Sequence, residues 1–225
     1  MNKCQYCEKS FKSERTLSVH MCVKKKRMLD LGTIGSMLGF RVFQRFYDLN
    51  SKSKTPKTTD EFIHSKYYLA FVKFGRHLAD LNAIDTNAFV DYVISNSYGI
   101  DDWCKDSVYV KFLKRHIETE SYERAIERTL NEMQQWCESN IKDGDLTQCF
   151  RQISTFEATA MIRNGRFSPW VLYLSESGGH LLDTMSEEQI DMLQGILDPV
   201  FWKDKFLKQK TDVVLVKDVL RQAGL

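Results

Sequence analysis

The chain is 225 residues long, 43% hydrophobic and 12% aromatic, with eleven glycines and three prolines. That composition supports a buried core, argues against disorder, and disfavours a sandwich or barrel built on many short turns. No apolar run reaches the length of about 18 residues that a membrane span needs, and the Met1 start lacks a signal peptide's apolar segment. A soluble protein with no membrane partner is expected, cytoplasmic (host cytoplasm for a viral protein) or nuclear in a eukaryotic cell.

The net charge of +2 conceals a division. Residues 1–58 carry 13 Lys/Arg against 4 Asp/Glu, a net of +9, whereas residues 59–225 carry 19 against 26, a net of −7. Such a split suits a polyanion-binding arm on a body with another task. An arm that folds back onto its own acidic body is the competing reading.

Cysteine placement points to metal rather than disulfides. Cys4, Cys7 and Cys22 crowd into the start of the chain, and in a reducing compartment clustered thiols usually hold metal. Cys104, Cys137 and Cys149 are scattered through helical-looking segments and read as small apolar core residues.

The first 22 residues state a chemistry. Two residues separate Cys4 from Cys7, twelve separate Cys7 from His20, and Met21 alone separates His20 from Cys22. Thiolate and imidazole suit the tetrahedral preference of Zn²⁺, and four such ligands leave no open position for water, which makes the site structural rather than catalytic. Phe11 and Leu17 supply the apolar residues so small a unit needs. The intervals through His20 resemble the Cys-Cys-His-His zinc-finger family, over residues 4–22 only.

That resemblance implies a small ββα-like finger, one structural Zn²⁺, and helix positions that contact nucleic acid. Those positions fall on Ser13, Arg15, Thr16 and Val19, with Lys12 beside them. Among them only Arg15 is a strong reader of base edges, and one finger covers about 3 bp, so little sequence specificity is expected. The departure from the family is the last step. Residues two apart on an α-helix point in different directions, so the helix must end or tighten near His20 for Cys22 to reach the metal.

Lys24, Lys25, Lys26 and Arg27 follow the last ligand and form a basic arm. If six cations of this segment neutralise phosphates, log K should have a slope of about −5 against log salt on duplex. From Met28 to Asn50 a helix is expected, on the spacing of Leu31, Ile34, Leu38 and Val42. Gly35 and Gly39 on it would let another helix approach closely, while Gly32 leaves part of the stretch open to a loop. Ser51 to Thr58 reads as a linker.

From Thr59 onward helix follows helix: to about Asn82, from Asp85 or Thr86 to Gly99, from Asp101 to Glu118, from Ser121 to Asn140, and from about Leu146 to Arg163. Ser168-Pro169 opens a short helix closed by Gly178-Gly179. Ser186 with Gln189 forms a capping box, Asp198-Pro199 opens another helix, and Val213–Val216 belongs to a last one. Arg163 to Ser168 forms a basic turn into a helix N-terminus, which suits a phosphate. Lys203, Lys205, Lys208 and Lys210 form a second basic strip. Ordinary solvent-facing charge is the alternative for both.

No hydrolase elbow, Walker-type loop or His-Glu-x-x-His helix occurs, and the Glu61/His64 and His77/Asp80 pairs have no second pair to complete a metal centre. The sequence thus reads as a mainly α protein in three parts: a finger and arm (1–27), a glycine-containing helix and linker (28–58), and an acidic all-helical domain (59–225). A single finger ahead of an unrelated helical body resembles accessory proteins of large tailed bacteriophages. The expected function is that of a zinc- and nucleic-acid-binding accessory protein in DNA replication, recombination or transcription. It is not expected to be an enzyme, and its acidic domain would meet a protein partner. The alternatives are an adaptor whose finger binds protein and, behind it, a metal-dependent nuclease.

Overall fold

The computed structural model describes residues 1–51 and 55–225. The expected Ser51–Thr58 linker falls partly on residues 52–54, outside the described residues. Two short strands, β1 (Asn2–Lys3) and β2 (Ser10–Phe11), pair antiparallel with Asn2 opposite Phe11 and Lys3 opposite Ser10. Everything else regular among the described residues is helical. The chain divides into two compact units, Met1–Tyr109 and Val110–Leu225.

The first unit holds α1 (Glu14–Ser18), α2 (Val23–Leu29), a 3₁₀ turn at Asp30–Gly32, α3 (Ile34–Asn50), α4 (Thr59–His64), α5 (Tyr68–Leu81) and α6 (Thr86–Ser95). The single helix expected from Met28 to Asn50 is therefore interrupted. Gly32 and Thr33 break it, and the Thr33 hydroxyl caps α3 by accepting the Ser36 N–H. Likewise the helix expected over Thr59 to Asn82 splits at Ser65–Tyr67, and its cap is Thr58. There the Thr58 hydroxyl and the Glu61 carboxylate satisfy each other's backbone N–H groups in a capping box,.

The glycines of α3 do bring a second helix close. A Cβ on Gly39 would lie 2.7 Å from the Phe71 carbonyl oxygen, and one on Gly75 of α5 would strike the Gly35 carbonyl and lie 2.5 Å from Gly39 N. Backbone thus meets backbone across the α3–α5 crossing. This crossing ties α3 to α5 within the first unit. Around it sits an aromatic core of Phe43, Phe62, Phe71, Phe74 and Trp103, all buried. The Trp103 indole N–H donates to the Tyr98 carbonyl at 2.9 Å.

The helix α7 (Asp106–Thr119) carries the chain across the division between units. The second unit continues with α8 (Tyr122–Asn140), α9 (Cys149–Gln152), α10 (Thr155–Arg163), α11 (Pro169–Leu174), α12 (Glu176–Asp183), α13 (Glu187–Leu193), α14 (Pro199–Lys208) and α15 (Lys210–Gln222). Ser154 interrupts the helix expected from Leu146 to Arg163, because its hydroxyl caps α10. Gly178 and Gly179 lie inside α12 and do not close α11, which ends at Ser175. The Ser186–Gln189 capping box and the Asp198-Pro199 start are present. Cys137 and Cys149 are both fully buried, and burial pushes both thiols up, as suits core residues,.

Candidate metal centre and basic helix

The β1–β2 hairpin presents Cys4 and Cys7 from one turn. Cys4 N–H donates to the Lys9 carbonyl at 2.9 Å and Glu8 N–H donates to the Cys4 carbonyl at 2.8 Å, with Glu8 in the left-handed region at φ 60°. This tight turn aims backbone N–H groups at the sulfurs. Burial pushes the Cys4 thiol up, but hydrogen bonds from the Tyr6 and Cys7 backbone outweigh it and hold the pKa below the ordinary thiol value. At Cys7 the Lys9 backbone bond lowers the pKa, yet burial and the neighbouring thiols prevail and raise it. Thiolates so close together repel unless a cation lies between them.

Ser13 caps α1, its hydroxyl accepting the Thr16 N–H at 3.3 Å. The helix is spent by Ser18, and Val19 is its C-cap. His20 then stands outside regular structure with its ring 4.6 Å from that of Phe11, centroid to centroid. Cys22 is the N-cap of α2, and its sulfur accepts the Lys25 N–H at 3.4 Å. The short His20–Cys22 step is thus resolved by leaving one helix and entering another.

The four ligand atoms converge. They all lie within 4.8 Å of one another, with Cys4 Sγ 4.0 Å from Cys22 Sγ and Cys7 Sγ 3.3 Å from His20 Nε2. A tetrahedral zinc with ordinary bond lengths requires S···S near about 3.8 Å and S···N near about 3.5 Å. A Cys₃His set of this geometry fits a metal ion. Among the described residues it is the one group of three or more His, Cys, Asp or Glu side chains placed to hold one.

The remaining sequence-predicted residues divide. Lys12, Arg15, Lys26 and the Ser13 and Thr16 hydroxyls are exposed, although both hydroxyls are engaged within the cap of α1. Lys24 and Lys25 are half-buried, and Lys25 Nζ donates to the His20 carbonyl at 3.2 Å. Arg27 turns inward: its Nη1 donates to the carbonyls of Ile63 (2.7 Å) and Ser65 (3.0 Å), and its guanidinium lies 4.6 Å over the Tyr68 ring. The basic arm is therefore a helix held at both ends, by the Cys22 cap and by the α4–α5 turn at Arg27. Sequence reading missed this anchor because its partners lie 36 and 38 positions away.

The other basic clusters are partly consumed internally, although Arg163, Lys203 and Lys210 are exposed. Arg166 pairs with Glu132 at 2.5 Å, and the Gly165 carbonyl accepts Arg128 Nε at 2.8 Å. The Ser168 N–H donates to the buried Thr129 hydroxyl at 2.9 Å. With Ser168 fully buried, the turn into α11 offers no exposed cradle for a phosphate. Lys205 is drawn between Trp170 and Trp202 (5.3 and 4.9 Å), donates to the Glu118 carbonyl at 2.7 Å, and has its pKa lowered by desolvation. Lys208 pairs with Asp204, so no continuous basic strip exists on α14. Of the enzyme-like pairs, Glu61 is held by Lys57 and Thr58, and His64 Nδ1 lies 2.8 Å from the Asp60 carbonyl.

No helix among the described residues is long and apolar enough to cross a membrane. No protein-family model matches the chain, no curated protein matches its sequence, and no solved structure matches its fold.

Proposed function

We propose that this protein is a zinc-dependent, nucleic-acid-binding accessory protein of low sequence specificity. The hairpin, α1 and the Cys4–Cys7–His20–Cys22 set form a variant ββα-like finger around one structural Zn²⁺. When bound, the metal neutralises the clustered thiolates and cross-links hairpin to helix. The chain's own residues do the rest: Phe11 and Leu17 fill the small core, Cys22 fixes the start of α2, and Arg27 fixes its end.

One observation carries the reading. The helix α2 holds three successive lysines on a rigid mount with no ion pair to any of them among the described residues. Lysines held in this way neutralise phosphates without first surrendering an acidic partner, and the affinity they give is salt-dependent and indifferent to base sequence. Arg15, at the exposed face of α1, supplies the one base-reading group. DNA engaged in replication, recombination or transcription is the expected polyanion.

The test uses the zinc-loaded full chain and fluorescence anisotropy with single-stranded, duplex and forked DNA across a salt series. Zinc content near one per chain is expected. Replacing Lys24, Lys25 and Lys26 together by alanine should reduce the slope of log K against log salt by about 2 to 3 units, at about 0.9 for each phosphate that a lysine neutralises. An unchanged slope, or no binding to any of the three DNAs, would sink the proposal.

A further inference from the structure

The same unit carries an apolar surface that a nucleic-acid reading leaves unused. Between Val19 and Met37, exposed large apolar side chains recur ahead of α2, on α2 and at the start of α3. Leu29 is 64%, Ile34 65% and Met37 52% exposed. The cause lies in the glycines. Gly35 and Gly39 turn one face of α3 against α5, so the opposite face at Ile34 and Met37 has no neighbour. Beside it runs a groove of about 340 Å³ lined by Leu31, Met37, Phe40, Arg41 and Gln44. Its walls come from the Asp30–Gly32 turn, α3 and Thr59 at the start of α4, with α2 packed against that turn.

Three properties narrow what fits. The surface is concave and apolar at its floor, which a planar bilayer cannot enter but a row of side chains can. Its lining includes Met37, whose flexible thioether adapts to an incoming apolar ridge,. It is also electropositive: from Arg15 to Tyr47 the chain has seven Lys/Arg and one acid, Asp30. Arg41, on the rim, makes no ion pair among the described residues. Phosphates would use the charge and leave the apolar floor wet. An acidic amphipathic helix satisfies both, with its apolar ridge in the groove and its carboxylates against Arg41 and the α2 lysines.

We infer that the groove between the Asp30–Gly32 turn and α3 docks an acidic amphipathic helix of a protein partner. This places the protein-docking surface on the basic first unit, whereas the charge division of the sequence suggested the acidic 59–225 region.

The test uses the zinc-loaded full chain and a fluorescein-labelled designed helix of about 18 residues, leucine on one face and glutamate on the other. A scrambled peptide of the same composition is the control. The amphipathic peptide should bind at least about tenfold more tightly than the scramble, and Ile34→Glu or Met37→Glu should each weaken it by about tenfold. Both sites are exposed, so the variants should fold, keep their zinc and retain DNA affinity within about twofold. Leu49→Glu, at the far end of α3, should change nothing. Equal binding of both peptides would reduce the site to charge attraction and overturn the inference. So would a dimer in light scattering that Met37→Glu dissolves, or sedimentation with phosphatidylserine vesicles that Met37→Glu abolishes while the peptide fails to bind.

Discussion

Two basic stretches, Lys24–Arg27 and Arg163–Ser168, look alike in the sequence and end differently in the fold. In the second, Arg166 meets Glu132, the Gly165 carbonyl meets Arg128, and the Ser168 N–H meets Thr129. In the first, Arg27 is consumed by carbonyls and a tyrosine ring and Lys25 donates to the His20 carbonyl, and neither meets an acid. The difference lies in the surroundings. The turn at 163–168 packs against α8, whose sequence supplies Glu127 and Glu132, whereas α2 lies in a stretch whose only acid is Asp30. A basic cluster is available to a ligand when the fold brings no carboxylate to it, and local composition is a partial guide to that.

The comparison depends first on the metal. α2 starts on Cys22, a member of the metal-capable cluster, so under the proposed zinc site chelation or Cys22→Ala should release everything up to about its last turn. A structural zinc is worth on the order of 10–16 kcal/mol to a finger peptide, far more than Phe11 and Leu17 can supply. Amide resonances of residues 2 to 29 should collapse to unfolded positions on metal removal, while those of 163 to 168 stay in place. A finger that keeps its dispersed spectrum without metal would break the comparison at its root.

The second support is the body to which Arg27 is pinned. The α3–α5 crossing leaves no room at Gly75, so Gly75→Ala should cost about 2–4 kcal/mol through forced separation of the helices. Gly179 in α12 has open space around it, and Gly179→Ala there should be neutral or stabilising by up to about 1 kcal/mol. Hydrogen exchange read amide by amide should locate the first loss of protection in α3 and α5. On the other side of the comparison, Thr129→Val leaves the buried Ser168 N–H without a partner and should cost about 1–3 kcal/mol. It should leave DNA affinity unchanged, because that turn is internally satisfied.

How much of this was legible follows the range of the interactions. The convergence of Cys4, Cys7, His20 and Cys22 was readable because a tetrahedral ion demands fixed spacings within 19 residues, and Phe11 and Leu17 pointed the same way,. That α1 must end near His20 followed from helical geometry alone. Cys22 as the cap of a second helix did not, since the lysines that form α2 carry no apolar period. Gly35 and Gly39 announced a close helix approach, yet their partner Gly75 is 36 to 40 positions away and nothing local marks it. That Gly165, Arg166 and Ser168 are engaged internally was not visible for the same reason: their partners lie 34 to 39 positions upstream. The breaks at Ser65–Tyr67 and at Ser154 interrupt runs whose apolar periodicity continues through them.

The finest test separates two adjacent cations. Lys26 is exposed with no ion pair among the described residues, while Arg27 gives Nη1 to two carbonyls and its plane to Tyr68, whose Oη in turn donates to the Arg27 carbonyl at 3.3 Å. Methionine at either site keeps the aliphatic stem and removes the charge. Arg27→Met strips partners from the Ile63 and Ser65 carbonyls and should lower stability by about 1–2 kcal/mol. Lys26→Met should stay within about 0.5 kcal/mol. In DNA binding the order reverses: Lys26→Met should reduce the salt slope by about 0.9, and Arg27→Met should leave it nearly unchanged, because a guanidinium spent on carbonyls releases no counterion from DNA. Equal effects of the two variants on the slope, read by anisotropy across salt, would mean that Arg27 leaves its anchor when DNA binds. The arm would then be a mobile tail rather than a mounted helix.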